Sequence, residues 1–145
     1  MINVLLVEDH ELYRMGLSLL LSKAEDINLM AEASDGIEGV KKAQELSPQV
    51  ILMDIGLPNM DGIEATQRIK AFLPETKILI FTSRDGEKDI LEDSFFEKGT
   101  HLVVTGILRG EVFVPKVYKN TGFDAILKVV LNSDGTLKGL LRKSE

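Results

Sequence analysis

Asp54 stands where an apolar run meets a turn. Val50, Ile51, Leu52 and Met53 precede it and Ile55 follows, and the chain then passes through Gly56-Leu57-Pro58-Asn59-Met60-Asp61-Gly62, a stretch rich in turn formers. Such a pattern describes a buried strand that delivers a carboxylate to its mouth. An aspartate at a strand end is ordinarily a turn or cap residue, but this one has company. Ile2 to Val7 is a second apolar run and ends in Glu8-Asp9, and Ile78 to Phe81 is a third and ends in Thr82-Ser83. In a parallel sheet these ends fall on one edge, where open α/β sheets place their sites. Three acids and two hydroxyls are expected to converge there.

Clustered carboxylates repel one another unless a cation sits among them. The oxygen-only set of Glu8, Asp9 and Asp54 suits a hard ion that keeps several waters, which points to Mg²⁺. With that ion in place, Asp54 has an oxygen available as a nucleophile toward phosphorus. The charge on the transferred phosphoryl oxygens then calls for a hydroxyl, which Thr82 can supply, and a cation such as a lysine at the end of a fifth strand. A phosphatase of the dehalogenase type also starts from a strand-end aspartate, but it needs a second acid two positions on, where this chain has Gly56.

The elements that must position these residues alternate regularly up to about residue 98, as expected for a parallel sheet covered by helices on both faces. Leu12, Met15, Leu19 and Leu20 have helical spacing, with Asp9 placed to cap. Strand two spans Ile27 to Ala33. Asp35 opens a helix with Ile37, Val40, Ala43 and Leu46 on one stripe, stopped by Ser47-Pro48. Another helix runs from about Gly62 to Phe72 with Ile63, Ile69 and Phe72 inward, then Lys77 to Thr82 forms strand four. Asp85 caps a segment running to Lys98, with Gly99 as its stop. Beyond it, His101 to Leu108 and Val112 to Tyr118, separated by Arg109-Gly110-Glu111, suggest a hairpin. Phe123 to Leu131 fits a helix or a strand, with the helix preferred.

The 145-residue chain has 44% hydrophobic and 28% charged residues, so it is one globular domain with room for a single core. Its apolar runs fall short of the ~20 residues a membrane span needs. Met1 to Val7 has no basic leader and is predicted to be a core strand instead of a signal peptide. Cysteine is absent, which excludes disulfides and thiolate ligands and weakly marks a cytoplasmic protein. The net charge of −6 divides into −9 over residues 1–98 and +3 over residues 99–145, but the C-terminal bases are dispersed among apolar residues.

Residues 1 to about 98 resemble the receiver domain of bacterial two-component response regulators, most closely the subfamily in which a LuxR-type DNA-binding domain follows. Val4-Leu5-Leu6-Val7-Glu8-Asp9-His10, the stretch Met53 to Gly62, and Lys77 to Ser83 carry the resemblance. It implies a doubly wound parallel α/β sheet of flavodoxin-like type. It further implies that Asp54 is the phosphoacceptor, Glu8 and Asp9 the acidic metal pair, Gly56 a contributor of its backbone carbonyl to Mg²⁺, and Thr82 the switch hydroxyl. Pro58 and Gly62 match the family's loop residues, where they shape the backbone. The family's fifth strand carries an aromatic residue three positions before a lysine. Phe113-Val114-Pro115-Lys116 has that spacing, which makes Lys116 the candidate cation and Phe113 the candidate aromatic switch, ahead of Tyr118.

The C-terminal third departs from the family. Proline precedes Lys116, and the interval from Thr82 is longer than the family pattern. Residues 99–145 therefore complete the receiver atypically, with an insertion over 100–110, a fifth strand over 111–117 and a last helix over 122–132, or else they are a foreign segment of a chimeric or redesigned scaffold without phosphotransfer. A third alternative makes residues 99–145 an OB-like nucleic-acid module, but stacked aromatics on a basic face are missing. The expected partner is a histidine kinase or a small phosphodonor, with room for a homodimer and at most slow self-dephosphorylation. Nucleic-acid binding is not expected, since the residues after Lys116 are too few for a helix-turn-helix domain. His10 is expected to be a helix-start residue near solvent, and Phe95-Phe96 to be core. Asp35 to Gly39 lacks phosphate-loop spacing.

Overall fold

Continuous apolar strands need cover on both faces, and helices with one apolar side supply it. The computed structural model describes residues 1–82 and 101–105. Along the chain these form β1 (Ile2–Val7), α1 (Glu11–Ser22), β2 (Ile27–Ala33), α2 (Gly36–Leu46), β3 (Val50–Asp54), α3 (Gly62–Phe72), β4 (Lys77–Thr82) and β5 (His101–Thr105). The strands make one five-stranded sheet in the order β2-β1-β3-β4-β5, and every pairing is parallel. This is the doubly wound, flavodoxin-like order, whose direction reverses beside β1 and β3.

Strand parity divides the core in two. Val4 and Leu6 of β1, Val50 and Leu52 of β3, and Leu79 of β4 pack with Tyr13, Leu17 and Leu21 of α1. The alternate residues Leu5, Val7, Ile51, Met53, Ile78 and Ile80 pack with Ala43 of α2 and with Ala65 and Ile69 of α3. The small inward residues of α2 let it approach closely: a Cβ on Gly39 would lie 3.1 Å from the Val7 side chain.

Several expectations need correction. The stripe Leu12, Met15 and Leu19 of α1 is exposed, at 57%, 59% and 57%. Apolar residues occur on nearly every side of this helix, so spacing alone did not choose a face, and the short link from β1 turned Tyr13, Leu17 and Leu21 inward. Ile37 is exposed on α2 for a similar reason, since Gly36, Gly39 and Ala43 take the inward face. Phe72, at the end of α3, is exposed at 36%. The cap of α1 is His10 and not Asp9: the His10 Nδ1 accepts from the Tyr13 N–H.

The fifth strand, beside β4, lies beyond residue 98. β4 is bordered by β3 on one side and by His101–Thr105 on the other, with Ile78 opposite His101 and Thr82 opposite Thr105. The strand that pairs with β4 here thus falls within 100–110, the stretch expected to be an insertion, and the expected strand over 111–117 lies outside the described residues. The expectations for Asp85 to Gly99, Phe95-Phe96, Phe113, Lys116, Tyr118 and the helix at 122–132 lie outside the described residues.

Candidate functional site

Register brings the acids together. Val7 is opposite Met53 in the β1/β3 ladder, so Glu8 and Asp54 each follow a paired residue at the same edge. Both have the parity of Leu6 and Leu52, the α1 face. Glu8, Asp9 and Asp54 each offer a donor atom within 4.8 Å of the others. Glu8 is fully buried, Asp54 is buried at 2% exposure, and Asp9 opens to solvent. Buried carboxylates this close repel each other in a medium poorer in water, and a cation among them relieves that cost. An oxygen-only donor set with one member facing water fits a hard divalent ion that retains part of its hydration.

The backbone around the site is tightly specified. The Glu8 N–H donates to the Ala33 carbonyl at 3.0 Å, and the His10 N–H donates to Glu8 Oε2 at 2.9 Å. Arg14 Nη1 donates to the Glu8 carbonyl at 2.8 Å. On the other side, the Gly56 N–H approaches Asp54 Oδ1 at 3.4 Å, and the Gly62 N–H donates to the Ile55 carbonyl at 2.9 Å. A Cβ on Gly62 would lie 2.1 Å from the Asp54 carbonyl oxygen, so the start of α3 meets the end of β3 only because residue 62 is glycine.

The β3–α3 loop is also tied to α2. Asn59, in the left-handed region at φ 67°, donates from Nδ2 to Asp35 Oδ2 at 2.9 Å. Asp35 caps α2 through the Glu38 N–H at 2.7 Å. That backbone hydrogen bond, with the Asn59 contact, holds the Asp35 carboxyl below its ordinary value.

Of the residues singled out from sequence, Glu8, Asp9 and Asp54 meet. Gly56 lies in the loop two residues after Asp54. Thr82 ends β4 at the same edge, one residue beyond Phe81, the register partner of Asp54. Spacing along α1 missed two residues at the site. Tyr13, 1% exposed, sits on the parity face of the two buried acids. Burial, reinforced by the charges of Glu8 and Asp54, pushes its phenol far above the usual range. Arg14 reaches back to Glu8 from the same helical turn. The available signal was position: the first turn of a helix that starts straight after a strand lies over that strand's end.

Residues 4–105 match the family described as response regulator receiver domain. The chain belongs to that family. The receiver match runs through β5, beyond the boundary expected near residue 98. The transcriptional regulatory protein LiaR of Bacillus subtilis is 55% identical over 83 residues, covering 57% of this chain and 39% of LiaR. The response regulator protein VraR of Staphylococcus aureus is 41% identical over 128 residues, covering 80% of this chain and 61% of VraR. That share exceeds what residues 1–98 make up, so the similarity to VraR extends into the C-terminal third. A LuxR-family two-component response regulator from Aurantimonas sp. SI85-9A1 is 34% identical with a TM-score of 0.63, over 72% of this chain and 74% of that one. This receiver thus spans 39% and 61% of the length of the two curated relatives. One of them is named a transcriptional regulator, so the expected absence of nucleic-acid binding finds no support. Among the described residues, no helix is long and apolar enough to cross a membrane.

Proposed function

We propose that this receiver accepts a phosphoryl group on Asp54 from a histidine kinase or a small phosphodonor, in the presence of Mg²⁺. The observation that carries the reading is the meeting of Glu8, Asp9 and Asp54, with donor atoms within 4.8 Å, at the carboxyl edge of the sheet beside the reversal point. Glu8, Asp9 and Asp54, with the Gly56 carbonyl, would hold the ion. When bound, Mg²⁺ supplies positive charge against the phosphoryl oxygens. An Asp54 carboxylate oxygen forms the new bond to phosphorus as the bond from phosphorus to the donor breaks, and the donor leaves with its electron pair. Thr82, which ends β4 at the same edge, is the proposed hydroxyl for the phosphoryl group, and Lys116 is the proposed countercharge. Ordering of Thr82 around the modified aspartate would bias two conformations of the receiver, which makes the domain a switch. A cytoplasmic location fits the lack of cysteine.

The test is intact mass after incubation with acetyl phosphate and Mg²⁺. One phosphoryl adduct is expected, absent from Asp54→Asn and lost when the divalent ion is chelated. An unmodified wild-type mass, or an adduct that persists in Asp54→Asn, overturns the reading. Lys116→Ala should slow adduct formation, and an unchanged rate would remove Lys116 from the site.

A further inference from the structure

Arg14 and Glu32 lie outside the acid cluster, yet they tie its backbone to the neighbouring strand. We infer that Arg14, braced by Glu32 of β2, is a positioning residue that orients the peptide joining Glu8 to Asp9 for cation binding. The inference rests on reading Glu8, Asp9 and Asp54 as the cation site.

The Glu8 carbonyl belongs to the planar peptide unit that links the two acids of the pair. Rotation of that unit would swing both side chains, and Glu8 already lies past the paired part of β1 and β3. Arg14 Nη1 takes the carbonyl at 2.8 Å and so fixes the plane. The guanidinium is fixed in turn: its Nε lies 3.4 Å from Glu32 Oε1. Ser18 Oγ donates to Glu32 Oε2 at 3.2 Å, and Lys42 Nζ donates to the Glu32 backbone carbonyl. Glu32 of β2 is thus held twice, at its carboxylate by Ser18 of α1 and at its backbone carbonyl by Lys42 of α2, which leaves the other carboxylate oxygen to aim one arginine. The planar fork of arginine serves a carbonyl and a carboxylate at once, which the point charge of lysine cannot reproduce.

Two physical arguments separate this role from simpler ones. The Arg14–Glu32 pair is part-exposed, at 21% and 38%, so it contributes little to global stability. As a bare positive charge at the peptide that joins Glu8 to Asp9, Arg14 would oppose a cation, so its removal would tighten metal binding. A positioning role predicts the opposite sign.

The experiment measures Mg²⁺ affinity of the full chain by calorimetric titration, together with the Mg²⁺ concentration giving half-maximal adduct formation from acetyl phosphate. Arg14→Gln should weaken Mg²⁺ binding by about tenfold, the scale of loss when a supporting partner of a metal ligand is removed. Arg14→Lys should recover only part of it. Glu32→Gln should shift affinity in the same direction by less, and the double variant should be no worse than Arg14→Gln, as for residues acting through one contact. Unchanged or tighter binding in Arg14→Gln, full rescue by lysine, or additive effects overturn the inference. Should Arg14→Gln fail to fold, Glu32→Gln alone decides. Wild-type protein that binds no Mg²⁺ overturns the functional reading itself, a result distinct from wild-type binding that the variants leave untouched.

Discussion

Tyr13 has its ring in the α1-side core and lies close in charge terms to both buried acids. Its raised ionisation has a testable consequence. Relative to an unfolded chain, which ionises near the ordinary value of 10.0, the folded protein holds the Tyr13 proton more tightly. Stability from this source is complete below that pH and is lost as pH rises beyond it. In a Tyr118→Phe background, which leaves Tyr13 as the remaining tyrosine, phenolate absorbance should stay flat through the usual range and appear only together with unfolding. Ionisation near 10 in the folded protein would place the ring in a wetter, less negative setting. Tyr13→Phe should reduce the alkaline loss of stability.

At the scale of elements, two contacts lock the β3–α3 loop against its neighbours. Gly62→Ala would press a methyl group against the Asp54 backbone, where little can give. A destabilisation of roughly 1–3 kcal/mol is expected, the range for overpacked sites, read as a lower denaturant midpoint with unchanged slope. Adduct formation should slow as well, because the strained backbone belongs to Asp54. The second contact is the Asp35 cap with its Asn59 clip. The Asp35 carboxyl titrates lower when folded than its ordinary 3.8, so its contribution is complete above that pH and fades as pH falls through the lowered value. Asn caps helices about as well as Asp, so Asp35→Asn should keep α2 while flattening that part of the acid limb of a stability–pH profile. An acid limb identical to wild type would show that the carboxylate contributes nothing.

For the whole molecule, the sheet requires β5. A chain ended at residue 98 would leave one side of β4 unpaired, an open template for association. Such a fragment should lose its cooperative thermal transition and scatter light at concentrations where the full chain stays clear. A cooperative melt matching the full chain would show that β5 is dispensable.

Local composition determined much of this receiver. Unbroken apolar strands, the caps at Asp35 and the turn formers from Gly56 to Gly62 place four strands and three helices, because burial and backbone preference act over a few residues at a time. Glu8, Asp9 and Asp54 were legible for the same reason: each acid ends or follows an apolar strand, and parallel strands end on one edge. Tertiary structure alone decided which side of α1 turned inward, since its apolar residues point in nearly all directions and only attachment to β1 selects among them. It also decided that His101–Thr105 borders β4, because strand pairing is a long-range choice that residue type leaves open among several β-prone segments. The approach of Tyr13 and Arg14 to the acids likewise depends on how a helix lies across a strand end, a distance that spacing along one element does not contain.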